Sequence, residues 1–60
     1  MDPKKALKHY KTRAAMGATA KVSKQAVSRW FKVGLIPMKS AMVLARESGG
    51  ELSFDPGMYA

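Results

Sequence analysis

Residues 22–32, VSKQAVSRWFK, are the stretch that decides the fold. Ser23 is a good N-cap residue, so a helix is predicted over residues 24–32. At about 100° per residue, the polar side chains fall on one side of this helix and the apolar ones, with the chain's only Trp, on the other. The polar side carries Lys24, Gln25, Ser28, Arg29 and Lys32, and the apolar side carries Ala26, Val27, Trp30 and Phe31. The stretch therefore predicts an amphipathic helix, with its polar and apolar residues on opposite faces.

Another helix is predicted directly upstream of residues 24–32. Thr12 can cap it, and residues 13–20 are mostly Ala, although Gly17 costs about 1 kcal/mol relative to Ala in a helix. Only residues 21–23 separate the two helices, so their connection is tight. Two short helices joined in this way, the second of them polar outside and apolar inside, describe a helix-turn-helix over about residues 12–32.

The remaining residues complete an all-α fold of four short helices in a single domain, residues 1–60. Asp2 followed by Pro3 is a helix-start pair for a first helix over about residues 3–10. Residues 33–36 are predicted to be a loop, Pro37 to open the fourth helix, and Gly49-Gly50 to close it. Five residues of the fourth helix are expected to line the core: Met38, Ala41, Met42, Leu44 and Ala45.

The tail, residues 50–60, is predicted to contain a short extended piece at residues 52–54 and a turn at residues 55–57. The tail has too few residues for a hairpin, whereas one short strand that pairs with its mate across a dimer stays open. It is also too short to form a core of its own, so its apolar residues are candidates for a homodimer contact. They are Leu52, Phe54, Met58 and Tyr59.

The charge of the chain points to a polyanionic partner. Eleven Lys and Arg against four Asp and Glu give a formal net charge of +7, and residues 3–46 contain no carboxylate. Such a field attracts nucleic acid, an anionic membrane or an acidic protein. The chain has no Cys and one His, so no metal or other cofactor is expected. Its few acidic residues offer no acid–base pair or activated nucleophile, so neither an enzyme nor a small-molecule substrate is predicted.

The side chains on the polar side of residues 24–32 suit the major groove of DNA, which admits one α-helix. Gln25 suits a bidentate contact with adenine, and Arg29 or Lys24 suits guanine O6 and N7. The predicted base-reading residues are Lys24, Gln25, Ser28 and Arg29. Predicted phosphate contacts are Thr12, Arg13, Lys21, Ser23, Lys32 and Lys39.

Residues 12–30, TRAAMGATAKVSKQAVSRW, resemble the helix-turn-helix of phage Cro proteins and related repressors, particularly the short, all-helical Cro proteins of lambdoid phages. Ile36-Pro37, the Gly pair and the aromatic tail extend the resemblance over nearly the whole chain. It implies a repressor that occupies promoter DNA on a pseudo-palindromic operator, as a weak homodimer. It also implies core positions at Met16, Ala20, Val22, Val27 and Trp30.

The chain departs from the family pattern in the connection between the two helices. The family commonly has Gly where Lys21 stands, a position expected to take a positive φ, and there Lys costs about 1 kcal/mol or more. The family also usually has Ala where this chain has Gly17, and a large aliphatic residue where it has Ala20. We therefore expect a locally strained turn.

Three alternatives stay open at the level of sequence. An antitoxin-type or prophage regulator would use the same DNA-binding surface. An RNA-binding module would need exposed aromatic residues on a sheet or an arginine-rich run. A membrane-binding helix would need more length and bulk than residues 3–10 supply. Because no apolar run approaches about 18 residues, we expect a soluble protein with no membrane partner. The resemblance to phage Cro proteins further implies the cytoplasm of a bacterial host.

Overall fold

Four α-helices follow one another along the chain, and a short 3-10 helix comes after them. The computed structural model describes residues 1–59. The helices are α1 (Pro3–Tyr10), α2 (Arg13–Ala20), α3 (Lys24–Val33) and α4 (Met38–Glu47), and the 3-10 helix is Pro56–Tyr59. No strand occurs within those 59 residues. The prediction of an all-α fold is therefore confirmed.

Side chains cap the first three helices at the positions that the sequence predicts. Each cap accepts a hydrogen bond from a backbone N–H that has no partner within its own helix. The N–H groups of Lys4, Ala15 and Ala26 donate to Asp2 Oδ1, Thr12 Oγ1 and Ser23 Oγ at 2.9, 3.1 and 3.3 Å. The fourth helix begins after Pro37 without a side-chain cap. Local sequence thus fixes where α1, α2 and α3 begin.

The third helix is one residue longer than predicted. Val33, which was expected in the loop, is its last residue. Gly34 then takes a φ of 86°, and its N–H donates to the Trp30 carbonyl at 2.8 Å. A left-handed glycine is a common way to end a helix, because it lacks the Cβ that makes this conformation unfavourable.

The core lies where α2 contacts the other three helices. Its buried apolar residues are Met1, Ala6, Met16, Val27, Trp30, Ile36, Ala41 and Leu44. The three largest core residues expected from the family resemblance, Met16, Val27 and Trp30, are among them. The other two, Ala20 and Val22, are partly buried and pack against this core.

Gly17 lies close to both the α2–α3 connection and α3. A Cβ at this position would lie 3.2 Å from the Val22 carbonyl oxygen and 3.3 Å from a methyl group of Val27. The Gly17 carbonyl in turn accepts a hydrogen bond from the Val22 N–H at 2.9 Å. A side chain at position 17 would therefore require Val22 or Val27 to shift by a few tenths of an ångström.

The prediction that Met38 and Met42 line the core is wrong. Each is 52% exposed. The fourth helix buries an arc between Ala41 and Leu44, and Met42 lies about 100° around the helix from Ala41. The packing of α4 against α2 fixes that rotation, and both methionines are left on its flank.

The sequence pattern does not predict the burial of two core residues, Ile36 and Met1. Ile36 lies in the connection between α3 and α4 and is fully buried, and Met1 is 4% exposed. The Ile36 N–H donates to the Met1 carbonyl at 3.0 Å. The Tyr59 phenol donates to the Ile36 carbonyl and accepts a hydrogen bond from the Met1 amino group. Burial raises the pKa of the Tyr59 phenol above its usual value of 10.0.

Residues 51–59 of the single chain contain no strand, and a strand that pairs across a dimer stays a prediction. Leu52 and Phe54 instead pack against the core of their own chain. The Leu52 N–H donates to the hydroxyl of buried Ser48 at 3.0 Å, so it bonds to a side chain rather than to a neighbouring strand. The turn that follows is as predicted, because Asp55 Oδ1 accepts the Gly57 N–H at 2.9 Å.

Lys21 ends α2 in the left-handed conformation that the sequence predicts, with φ 59° and ψ 45°. A non-glycine residue pays about 1–2 kcal/mol for this conformation. We expect Lys21→Gly to raise the free energy of unfolding by about 1 kcal/mol and the Tm by about 4–8 °C in thermal denaturation followed by circular dichroism. Lys21→Ala removes the same charge and keeps the strain. If Lys21→Gly and Lys21→Ala raised the free energy of unfolding equally, the loss of charge rather than the relief of backbone strain would be the cause.

Candidate nucleic-acid interface

An exposed polar surface runs along the outer side of α3. Its five residues line one open depression of about 350 Å³ and are called here the α3 polar face: Lys24, Gln25, Ser28, Arg29 and Lys32. All five side chains are exposed. The structure thus brings the four predicted base-reading residues together with one predicted phosphate-contacting residue.

The opposite side of α3 holds the helix in place. Val27 is 1% exposed and Trp30 is 3% exposed, and both belong to the core. Because two large buried side chains one turn apart set the rotation of a helix about its axis, the direction of the α3 polar face is set as well.

The beginning of α2 supplies a second candidate contact. Thr12 caps this helix, and Arg13, its first residue, has an exposed side chain. The Arg13 guanidinium carbon lies over the ring of Phe31, 4.2 Å from the ring centroid. Phe31 belongs to α3 and is partly buried against the core. The sequence pattern predicts only a packing role for Phe31, because no local pattern links two residues so far apart in the chain.

The other predicted phosphate-contacting residues lie outside the α3 polar face. Lys21 and Ser23 occupy the connection between α2 and α3, and both are exposed. The Ser23 hydroxyl already accepts the Ala26 N–H. Lys39 lies in the first turn of α4 and lines a different depression together with Ala20, Val22, Ser40 and Val43. The six candidates therefore do not form a single cluster.

Carboxylates lie away from the α3 polar face. Within the described 59 residues, the one salt bridge joins Arg46 Nε to Glu47 Oε1 at 3.8 Å, between side chains 75% and 53% exposed. Asp2, Glu51 and Asp55 line a depression between the beginning of the chain and the tail. Within residues 1–59, no acidic side chain forms a salt bridge with the cations of α3.

The structure places the predicted dimer residues in two different situations. Leu52, Phe54 and Tyr59 are partly buried against the core of their own chain. Met58 is 45% exposed. Three other large apolar residues are also exposed, namely Val33, Met38 and Met42, although the sequence pattern placed the two methionines in the core. The homodimer contact stays a prediction.

Comparisons with known proteins add no relative. No protein-family profile, curated protein or solved structure matches the chain. Among the helices of residues 1–59, none is long and apolar enough to cross a membrane. In the same part of the chain, no three His, Cys, Asp or Glu side chains come together as a metal site would require.

Proposed function

We propose that this protein is a sequence-specific, double-stranded DNA-binding transcriptional repressor similar to phage Cro proteins. In this proposal α2 and α3 form a helix-turn-helix, and α3 enters the major groove, which is wide enough for one α-helix. The observation that carries the proposal is the α3 polar face, where an amide, a guanidinium and two ammonium groups are exposed together. A phage, prophage or antitoxin-type regulator would use this surface in the same way.

The mixture of side chains supports reading of the base sequence as well as electrostatic attraction. Lysines alone hold DNA through its phosphates, without discriminating between sequences. Gln25 can pair with adenine N6 and N7, and Arg29 with guanine O6 and N7, each pair discriminating by about 1–3 kcal/mol. Arg13, Lys21 and Lys39 would contact phosphates and fix the orientation of the protein on the duplex.

Two subunits are part of the proposal. A single α3 covers few base pairs, so useful specificity needs a second copy on a pseudo-palindromic site. The half-sites would lie about 10–10.5 base pairs apart, one helical turn of DNA. Repression would follow from occupation of the promoter by this weak homodimer.

Selection of bound sites from random duplex DNA tests the proposal. The expected result is enrichment of a pseudo-palindrome with half-sites about one helical turn apart. Binding of the protein to the selected duplex, to its single strands and to anionic phospholipid vesicles should be compared at the same salt concentration. No enrichment, or preference for single strands or vesicles, would contradict the proposal in favour of an RNA-binding or membrane-binding module.

A further inference from the structure

We propose that Phe31 is a positioning residue, whose ring holds the Arg13 guanidinium where it can bind a phosphate of the duplex. This inference rests on the proposed function and adds to it a residue that makes no contact with DNA itself. It also links Arg13 on α2 to Phe31 on α3, the helix that carries the α3 polar face.

The geometry of the pair supports this role. The Arg13 guanidinium carbon lies 4.2 Å from the Phe31 ring centroid, within the roughly 6 Å over which a cation is attracted to an aromatic face. A guanidinium that lies over an aromatic ring keeps the N–H groups that point away from the ring available for an anion. Arg13 is exposed, so its N–H groups are accessible to a ligand from solvent.

Phe31 is itself held in place. It is partly buried and packs against the core, one residue after Trp30, which is 3% exposed. Around α3 it falls about 20° from Lys24, on the side away from Arg29. Arg13 therefore lies on the same side of α3 as Lys24, but about 10 Å further along the helix axis.

Prior orientation of Arg13 lowers the entropy that a long side chain loses when it binds a phosphate. Arg13 is also the first residue of α2, where backbone N–H groups without helical partners favour an anion. The same phosphate could then contact both the guanidinium and the backbone of that first turn.

Phe31→Leu tests the role of the ring, because it keeps an apolar side chain and removes the aromatic face. We expect this variant to bind the selected duplex about 2- to 5-fold more weakly, the size of an exposed cation–π interaction. Phe31→Tyr keeps the ring and should bind as the parent protein does. Tyr10→Leu is the matched control, because Tyr10 is also an aromatic residue packed against the core but pairs with His9 on α1, and it should leave affinity unchanged.

A double-mutant cycle separates positioning from a general effect on the fold. Arg13→Ala should weaken binding and lower the salt slope by about 1. In that background Phe31→Leu should produce no further loss, because its effect acts through Arg13. An equal loss in both backgrounds, or no loss in either, would overturn the inference.

A measurement on the free protein checks the pair without DNA. The aromatic ring should shift the NMR signals of the Arg13 δ-methylene protons upfield, and Phe31→Leu should abolish this shift. Absence of the shift in the parent protein would overturn the inference. Failure of the proposed function would look different, because the parent protein itself would then show no preference for duplex DNA.

Discussion

Ile36→Ala is expected to lower the free energy of unfolding by about 2–5 kcal/mol, the usual cost of truncating a fully buried aliphatic side chain. Ile36 lies outside every helix, yet its exposed fraction is 0%. It also joins the α3–α4 connection to Met1 and Tyr59 through its backbone. A 60-residue domain has a total stability of only about 3–9 kcal/mol, so this change removes much of it.

Urea denaturation, followed by Trp30 fluorescence and circular dichroism, measures the effect. Val33→Ala is the matched control, since Val33 is aliphatic, three residues upstream and 69% exposed. Its effect should stay within about 0.5 kcal/mol, as is usual for surface substitutions. Equal losses in the two variants would contradict the placement of Ile36 in the core.

Gln25→Ala and Arg29→Ala are expected to have the largest effects on DNA recognition. Each variant should lose base preference at one position per half-site, a loss of about 1–3 kcal/mol per contact. Both residues are exposed on the α3 polar face, so their removal should leave the Tm nearly unchanged. Selection of bound sites with each variant, beside the parent protein, measures the change position by position.

Lys39→Ala is the control for loss of charge alone. Lys39 lies on α4 and outside the α3 polar face. Its removal should weaken binding to all sequences alike and lower the salt slope by about 1. If Gln25→Ala left the selected sequence unchanged, the placement of the base-reading face on α3 would be wrong.

The parts of the fold that the sequence predicts well depend on local interactions. Asp2, Thr12 and Ser23 each cap a helix within three residues of their own position, so their patterns are readable along the chain. The α3 polar face follows from the same kind of information, because the helical period alone separates its polar side from Val27 and Trp30.

The parts that the sequence does not predict depend on contacts between distant segments. Burial of Ile36 comes from Met1 and the tail, which no local pattern near residue 36 indicates. Exposure of Met42 follows from the rotation of α4 against α2, and methionines at helical spacing are equally compatible with either side. The pairing of Arg13 with Phe31 likewise needs α2 and α3 in their final arrangement.

The hydrogen bonds of Tyr59 have a consequence for the order of folding. Neighbouring helices such as α1 and α2, or α2 and α3, meet after short loops, whereas Tyr59 meets Met1 across a separation of 58 residues. Closing so long a loop costs more entropy than closing short ones. We therefore expect the tail to dock after the helices have assembled, so that Tyr59 completes the native state without setting the folding rate.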